Sequence, residues 1–252
     1  MNSSALLCAL LCLVSSRLVA DQRILKSPDE QTVVTVELID GTPNYSVDYR
    51  GEKIILPSRL GMEFADHDAL DGPFVFGRED TKEIKESWKP VWGQHAEINN
   101  HANQLILQLV ETDGAKRSLN VIFRAYDDGV GIRYHIPVQN NLREFQLTNE
   151  LTTFTFADNH TTWWVEDLYD SYERDYNQSP LERAAAEGAS TPVTMRTANG
   201  THISLHEADL TDWAGMKLKR AENGAKLSFE ADLVPWYESE VKVKGKAPHY
   251  SP

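Results

Sequence analysis

The chain has 252 residues, 41% of them hydrophobic, with 25 basic against 38 acidic side chains and a formal net charge of −13. That length suits one large domain with a real core, and so acidic a surface argues against nucleic acid, whose binding needs a basic face that displaces counterions. No segment after the N-terminus is long and apolar enough to span a bilayer, so no membrane span is expected.

Residues 1–20 read as a secretory signal peptide. The apolar run from Ala5 to Val14 has the length of an h-region and is too short for a membrane helix, and Ala20 is a small residue at a plausible cleavage point. The n-region departs from the pattern, since it carries no Lys or Arg. Both cysteines, Cys8 and Cys12, lie inside this segment, so the mature chain is expected to hold no disulfide. The expected location is outside the cytoplasm, periplasmic or secreted.

Residues 21–240 read as one domain of short strands. Turn signals recur at Asp40-Gly41, Arg50-Gly51, Asp71-Gly72-Pro73, Asp113-Gly114, Asp128-Gly129, Asn199-Gly200 and Asn223-Gly224. Between them lie runs that alternate with period two. Val34, Val36 and Leu38 share one strand face, as do Tyr45, Val47 and Tyr49. Leu105, Leu107 and Leu109 form another set, followed by Leu119, Val121 and Phe123, then Ile132, Tyr134 and Ile136. Phe154 with Phe156 and Leu227 with Phe229 complete the series. Regular short strands with Gly-rich turns predict an all-β, antiparallel β-sandwich. The segment FRAYDDGVGIRY, Phe123 to Tyr134, predicts a hairpin whose tight turn needs a positive φ at Gly129.

One or two short helices are expected besides. Ser179 suits an N-cap, Pro180 the first helical position and Glu182 a capping box, with Ala184 to Ala186 propagating the helix and Gly188 ending it. The richest aromatic stretch precedes it: Thr161 to Tyr176 carries Trp163, Trp164, Tyr169, Tyr172 and Tyr176, interleaved with acids that include Glu173. Such rings stack on sugars or pack at an interface, and the enrichment of aromatics at interfaces favours the second. His206 and Glu207 are neighbours, and on a strand they face opposite ways, so they do not jointly serve one cleft as acid and base. The other histidines show no metal-ligand spacing. Residues 241–252 are rich in Lys, Gly and Pro and read as the start of a linker.

Several segments together resemble the N-terminal domain of glycoside hydrolase family 97. They are SPDEQTVVTVELIDGTPNYSVDYRGEKIILPSRLGMEF from Ser27, WKPVWGQHAEINNHANQLILQL from Trp88, the FRAYDDG hairpin, TPVTM from Thr191 and ISLHEADLTDWAGMKL from Ile203, in that order. The resemblance runs from about Ser27 to the chain's end. It implies a galactose-mutarotase-like super-sandwich followed, after the linker, by a (β/α)8 catalytic barrel that this chain lacks. It therefore implies no catalytic residue here. It also implies that Glu207, in the His-Glu-Ala of Ile203 to Leu218, contributes one ligand to a Ca²⁺ shared with the barrel. The remaining candidates, Trp163, Trp164, Tyr169, Tyr172, Glu173, Tyr176 and His206, fall to substrate contact or to the interface with the barrel. Trp88, Trp92 and Gly93 read as core and turn. The implied substrate is an α-glucoside or α-galactoside, met as an α-linked oligosaccharide by the complete enzyme. Alternatives from other classes are a stand-alone carbohydrate-binding module and, well behind it, a mutarotase-like epimerase.

Overall fold

The computed structural model describes residues 21–167, 173–210, 213–221 and 225–234. The signal peptide and linker readings, Tyr169, Tyr172 and the Asn223-Gly224 turn lie outside these residues. Seventeen strands occur among the described residues, arranged as an all-β sandwich of antiparallel sheets.

The large sheet begins with β1 (Gln22–Lys26), β2 (Thr32–Ile39), β3 (Thr42–Tyr49) and β4 (Glu52–Arg59). It continues through β11 (Thr153–Phe156), β17 (Ser228–Leu233), β16 (Met216–Arg220), β14 (Ala189–Arg196), β12 (Thr161–Glu166) and β13 (Asn177–Pro180). The edge strand β15 (His202–Leu205) pairs with β14 off that path. A second sheet orders β6 (Phe74–Trp88), β7 (Ile98–Glu111), β8 (Ser118–Tyr126) and β9 (Gly129–His135), and a small ladder joins β5 (Met62–Phe64) to β10 (Leu147–Glu150).

The alternating residues meet in the core between the sheets. Val34, Val36, Tyr45 and Val47 from one layer and Leu105, Leu107, Leu109, Leu119, Val121 and Phe123 from the other are all buried. The Tyr45 and Phe123 rings meet at 6.1 Å between centroids. Under the far half of the large sheet, Phe156, Val193, Met195, Leu218 and Phe229 fill the same role.

The Asp40-Gly41 and Arg50-Gly51 turns each place both residues at positive φ, which matches the right-handed twist of the flanking strands. Gly41 is needed for a second reason: a Cβ there would stand 2.7 Å from Pro73 Cβ, where the turn closes on the start of β6. Three expectations are corrected. Gly129 takes no positive φ; it pairs with Tyr126 as the first residue of β9, and Asp127 and Asp128 make the turn. The helix after Ser179 shrinks to a single 3₁₀ turn, Leu181–Arg183, with no side-chain cap, because Pro180 is held in the β13 ladder opposite Thr161. Trp88 and Trp92 are exposed, not core, because β6 is the outer strand of its sheet and the loop after it is open.

Candidate functional site

The chain leaves the sheet at Leu205, the last residue of β15. His206 and Glu207 therefore stand in a loop, and the strand geometry expected to turn them apart does not apply to them. His206 is exposed and Glu207 is half-buried. The loop returns to the sheet at Met216, whose backbone N–H donates to Glu207 Oε2 at 2.7 Å. That bond pins the two ends of the loop together. The other Glu207 oxygen has no hydrogen bond among the described residues.

A second tether crosses the same loop. The Trp213 indole N–H donates to Glu150 Oε2 at 3.3 Å, where β10 ends. Glu150 Oε1 accepts the Thr152 hydroxyl at 2.6 Å. With its only proton committed to that carboxylate, Thr152 Oγ1 must accept from the Tyr134 hydroxyl, 2.7 Å away. Tyr134 Oη in turn accepts the Gly61 N–H at 3.1 Å. The result is a directional chain from Gly61 through Tyr134 and Thr152 to Glu150. Every donor along it is used, as a polar group under a sheet requires.

The electrostatics follow from enclosure. Burial pushes the Glu150 carboxyl above its ordinary value; the Thr152 and Trp213 donors pull it down, and the negative charge of Glu207 adds to the rise. The Tyr134 hydroxyl is pushed well above the ordinary range by burial first and by the Glu150 charge second. Glu150 and Glu207 thus feel one another across the Trp213 loop. Nothing local in the segment around Glu150 marks it as special, and sequence reasoning missed it; only the packing of β9, β10 and the Trp213 loop brings it to Glu207.

The metal question can be put to these residues directly. Calcium takes about 6–8 oxygen ligands. Both Glu150 oxygens are committed to protein donors, and among the described residues one Glu207 oxygen is uncommitted. Among the described residues no group of three His, Cys, Asp or Glu is placed to hold a metal. Glu207 fits the part of one ligand to a hard cation whose other ligands come from elsewhere, and the described residues do not fit a complete site.

The aromatic stretch is divided by the pleat of β12. Trp164 packs against the core and donates its indole N–H to Ser179 Oγ at 3.1 Å. Trp163 points to the other face, where the Arg196 guanidinium stands 5.7 Å from its ring centre. Glu173 and Tyr176 are exposed. Asp167, just past β12, is joined to Lys217 of β16 by an ion pair with both side chains largely enclosed.

The family model described as "Glycosyl-hydrolase 97 N-terminal" matches residues 25–240. A retaining alpha-galactosidase of Bacteroides thetaiotaomicron is 24% identical over 241 residues, which cover 88% of this chain and 34% of that protein. Among solved structures, a glycoside hydrolase family 97 enzyme from Pseudoalteromonas sp. strain K8, in complex with panose or with acarbose, superposes with a TM-score of 0.80. It is 31% identical over 85% of this chain and 32% of that one. A beta-arabinopyranosidase shares the fold with a TM-score of 0.77 at 23% identity, over 90% of this chain and 37% of its own. The chain spans about a third of the length of these relatives.

Proposed function

The chain belongs to the glycosyl-hydrolase 97 N-terminal family, and from that premise we propose that it serves an exported glycosidase acting on α-glucosides or α-galactosides as its non-catalytic N-terminal domain. In this reading the sandwich forms one wall of the substrate pocket. Glu207 supplies one ligand to a Ca²⁺ held jointly with a catalytic barrel, and Trp163, Tyr176 and His206 lie on the substrate or barrel side. When bound, the cation would polarise or position sugar oxygens. What this chain's own residues do is hold one carboxylate in place.

The observation that carries the reading is the double tether of the Glu207 loop. Met216 N–H fixes one Glu207 oxygen, Trp213 fixes the loop to Glu150, and the second Glu207 oxygen has no hydrogen bond among the described residues. A carboxylate so restrained keeps its aim without spending its last acceptor, as a preorganised ligand should. In the enzyme carrying this domain, Glu207→Gln is expected to raise the calcium concentration for half-maximal activity at least about tenfold. The 252-residue chain alone is expected to hydrolyse neither 4-nitrophenyl α-glucoside nor the α-galactoside. Turnover by the chain alone, or an unchanged calcium requirement in the variant, refutes the proposal.

A further inference from the structure

The β6–β7 hairpin outruns the sheet it belongs to. β8 covers β7 only as far as the Asn103–Ala125 pair, yet β6 and β7 go on pairing from Ile84–Ala102 to Trp88–Ile98. At ~3.4 Å per residue these further pairs make a two-stranded arm about 17 Å long. Its tip is apolar and exposed: Val91 is 99% exposed, Trp92 87% and Trp88 48%.

The pleat sorts the arm's side chains. Residues two apart share a face, and directly paired residues share the same one. Ile84, Glu86 and Trp88 therefore line one face together with Ala102, Asn100 and Ile98. Ile84 and Ala102 are buried at its base. In the middle, Asn100 Nδ2 donates to Glu86 Oε2 at 3.2 Å, and the other carboxylate oxygen and the amide carbonyl have no hydrogen bond among the described residues. Trp88 follows next, and Trp92 stands just beyond it on the loop at Gly93, where the backbone is open. Aromatic faces beside a carboxylate and an amide suit a ligand with apolar C–H faces and vicinal hydroxyls.

Charge and area choose between occupants. Between Arg78 and Glu97 the arm carries four cations and five acids, so it is nearly neutral and draws no polyion. Taking roughly 150–250 Å² for each aromatic side chain, the exposed apolar tip amounts to about 500 Å² at most. A stable protein interface needs about 800 Å² from each partner. The apolar tip by itself stays below that total, which counts polar surface as well, and it is large enough for one or two sugar rings.

We propose that the β6–β7 arm is a carbohydrate-contact site in its own right, in which Trp88 and Trp92 stack on a neutral α-linked oligosaccharide and Glu86 with Asn100 takes its hydroxyls. The choice of sugar class rests on the glycosidase reading; the site itself is separate from the Glu207 loop, and the two fail separately.

The experiment is a calorimetric titration of the 252-residue chain with maltoheptaose and with an α-1,6-galactotriose. Saturable binding of at least one glycan is expected. Trp92→Ala and Trp88→Ala should each weaken it about tenfold, equivalent to about 1.4 kcal/mol. Trp92→Phe should keep most of it, and Glu86→Gln should weaken it with the fold unchanged by circular dichroism. Glu207→Gln should bind the glycan as the unaltered chain does, so loss of the calcium proposal leaves this one standing. Failure of the chain to bind either glycan overturns the arm site, as does undiminished binding by both tryptophan variants. Self-association of the chain that Trp92→Ala abolishes overturns it too, since the tip would then be an interface between copies.

Discussion

Replacing Thr152 with valine keeps the side-chain volume and removes one hydroxyl from the interior. Thr152 is 3% exposed, so water cannot take the hydroxyl's place. Two hydrogen bonds go with it, one to the Glu150 carboxylate at 2.6 Å and one from Tyr134 at 2.7 Å. A bond to a charged acceptor contributes about 1.5–3 kcal/mol and a neutral one about 0.5–1.5, so the expected loss is about 2–4 kcal/mol at neutral pH. The pH dependence makes the argument sharper. Burial raises the Glu150 carboxyl in the folded state and the Thr152 donor opposes that rise, so the variant lifts it further. A raised folded value means that the group's contribution is fully present below the unfolded carboxylate range and is lost as pH rises through the folded value. Once Glu150 is protonated it no longer needs the Thr152 donor. The deficit measured by urea unfolding should therefore be smaller near about pH 5 than near about pH 8, with the m-value unchanged. A deficit under about 0.5 kcal/mol near neutral pH, or one that grows toward acid, would refute the directional chain.

Two other perturbations test separate parts of the fold. Arg117 donates to both Glu111 oxygens at 2.8 and 2.5 Å and to the carbonyls of Asp68 and Ala69 at 2.7 and 2.8 Å, with both members of the pair buried. Arg117→Met leaves the buried Glu111 charge without its counterion, with only the backbone N–H of residue 117 still donating to it, and should cost about 3–5 kcal/mol in urea unfolding, part of it recovered by adding Glu111→Gln; a cost below about 1 kcal/mol contradicts this. His160 is held below its ordinary value chiefly by burial, and its Nε2 has no hydrogen-bond partner among the described residues beside the Phe156 ring 5.9 Å away. Its unfolded form binds the proton more readily, so stability falls as pH drops below the unfolded value, by up to about 1.4 kcal/mol per pH unit. His160→Gln should flatten that slope between about pH 6.5 and 5; parallel slopes in variant and parent show that His160 is not its source.

The strands that alternation marks were legible where one face goes into the core and the other toward water or a half-covered surface. Ser118 to Tyr126 alternates between half-buried and buried at every position, as its Leu119, Val121, Phe123 series predicts. The short helix was misread for a physical reason. The Ser-Pro-Leu-Glu start carries every local helix signal, but its backbone groups are taken by distant partners. The Glu182 N–H goes to Asn159 Oδ1 at 3.0 Å, and the Arg220 guanidinium binds the carbonyls of Leu181 and Ala184, the latter at 2.7 Å. Ala185 is then driven to a φ of 52°, which no continuing helix allows. Trp88 and Trp92 were misread in the opposite sense, since a tryptophan near a strand end carries no local mark of whether its sheet stops there.

The site divides along the same line. Glu207 is singled out only by the surrounding family pattern, because a lone glutamate after a strand is ordinarily a solvated one. What restrains it is non-local. Trp213 and Met216 hold the loop at two points, and Glu150 with Tyr134 and Thr152 comes from parts of the chain more than fifty residues earlier. Each of these residues has an unremarkable neighbourhood in the chain, and alternation marks Tyr134 only as one of three apolar residues on a strand face. Its ring does pack on the core, while its hydroxyl links Gly61 to Thr152. The period-two pattern identifies which face a residue takes but not what its polar end meets there. A polar network spanning β9, β10 and the Trp213 loop must be complete to be stable, since one missing donor leaves an enclosed carboxylate short. That demand couples the aim of the Glu207 loop to the integrity of the sandwich, so if the proposed calcium role holds, variants at Thr152 or Tyr134, with no contact to Glu207 itself, should disturb calcium dependence and stability together.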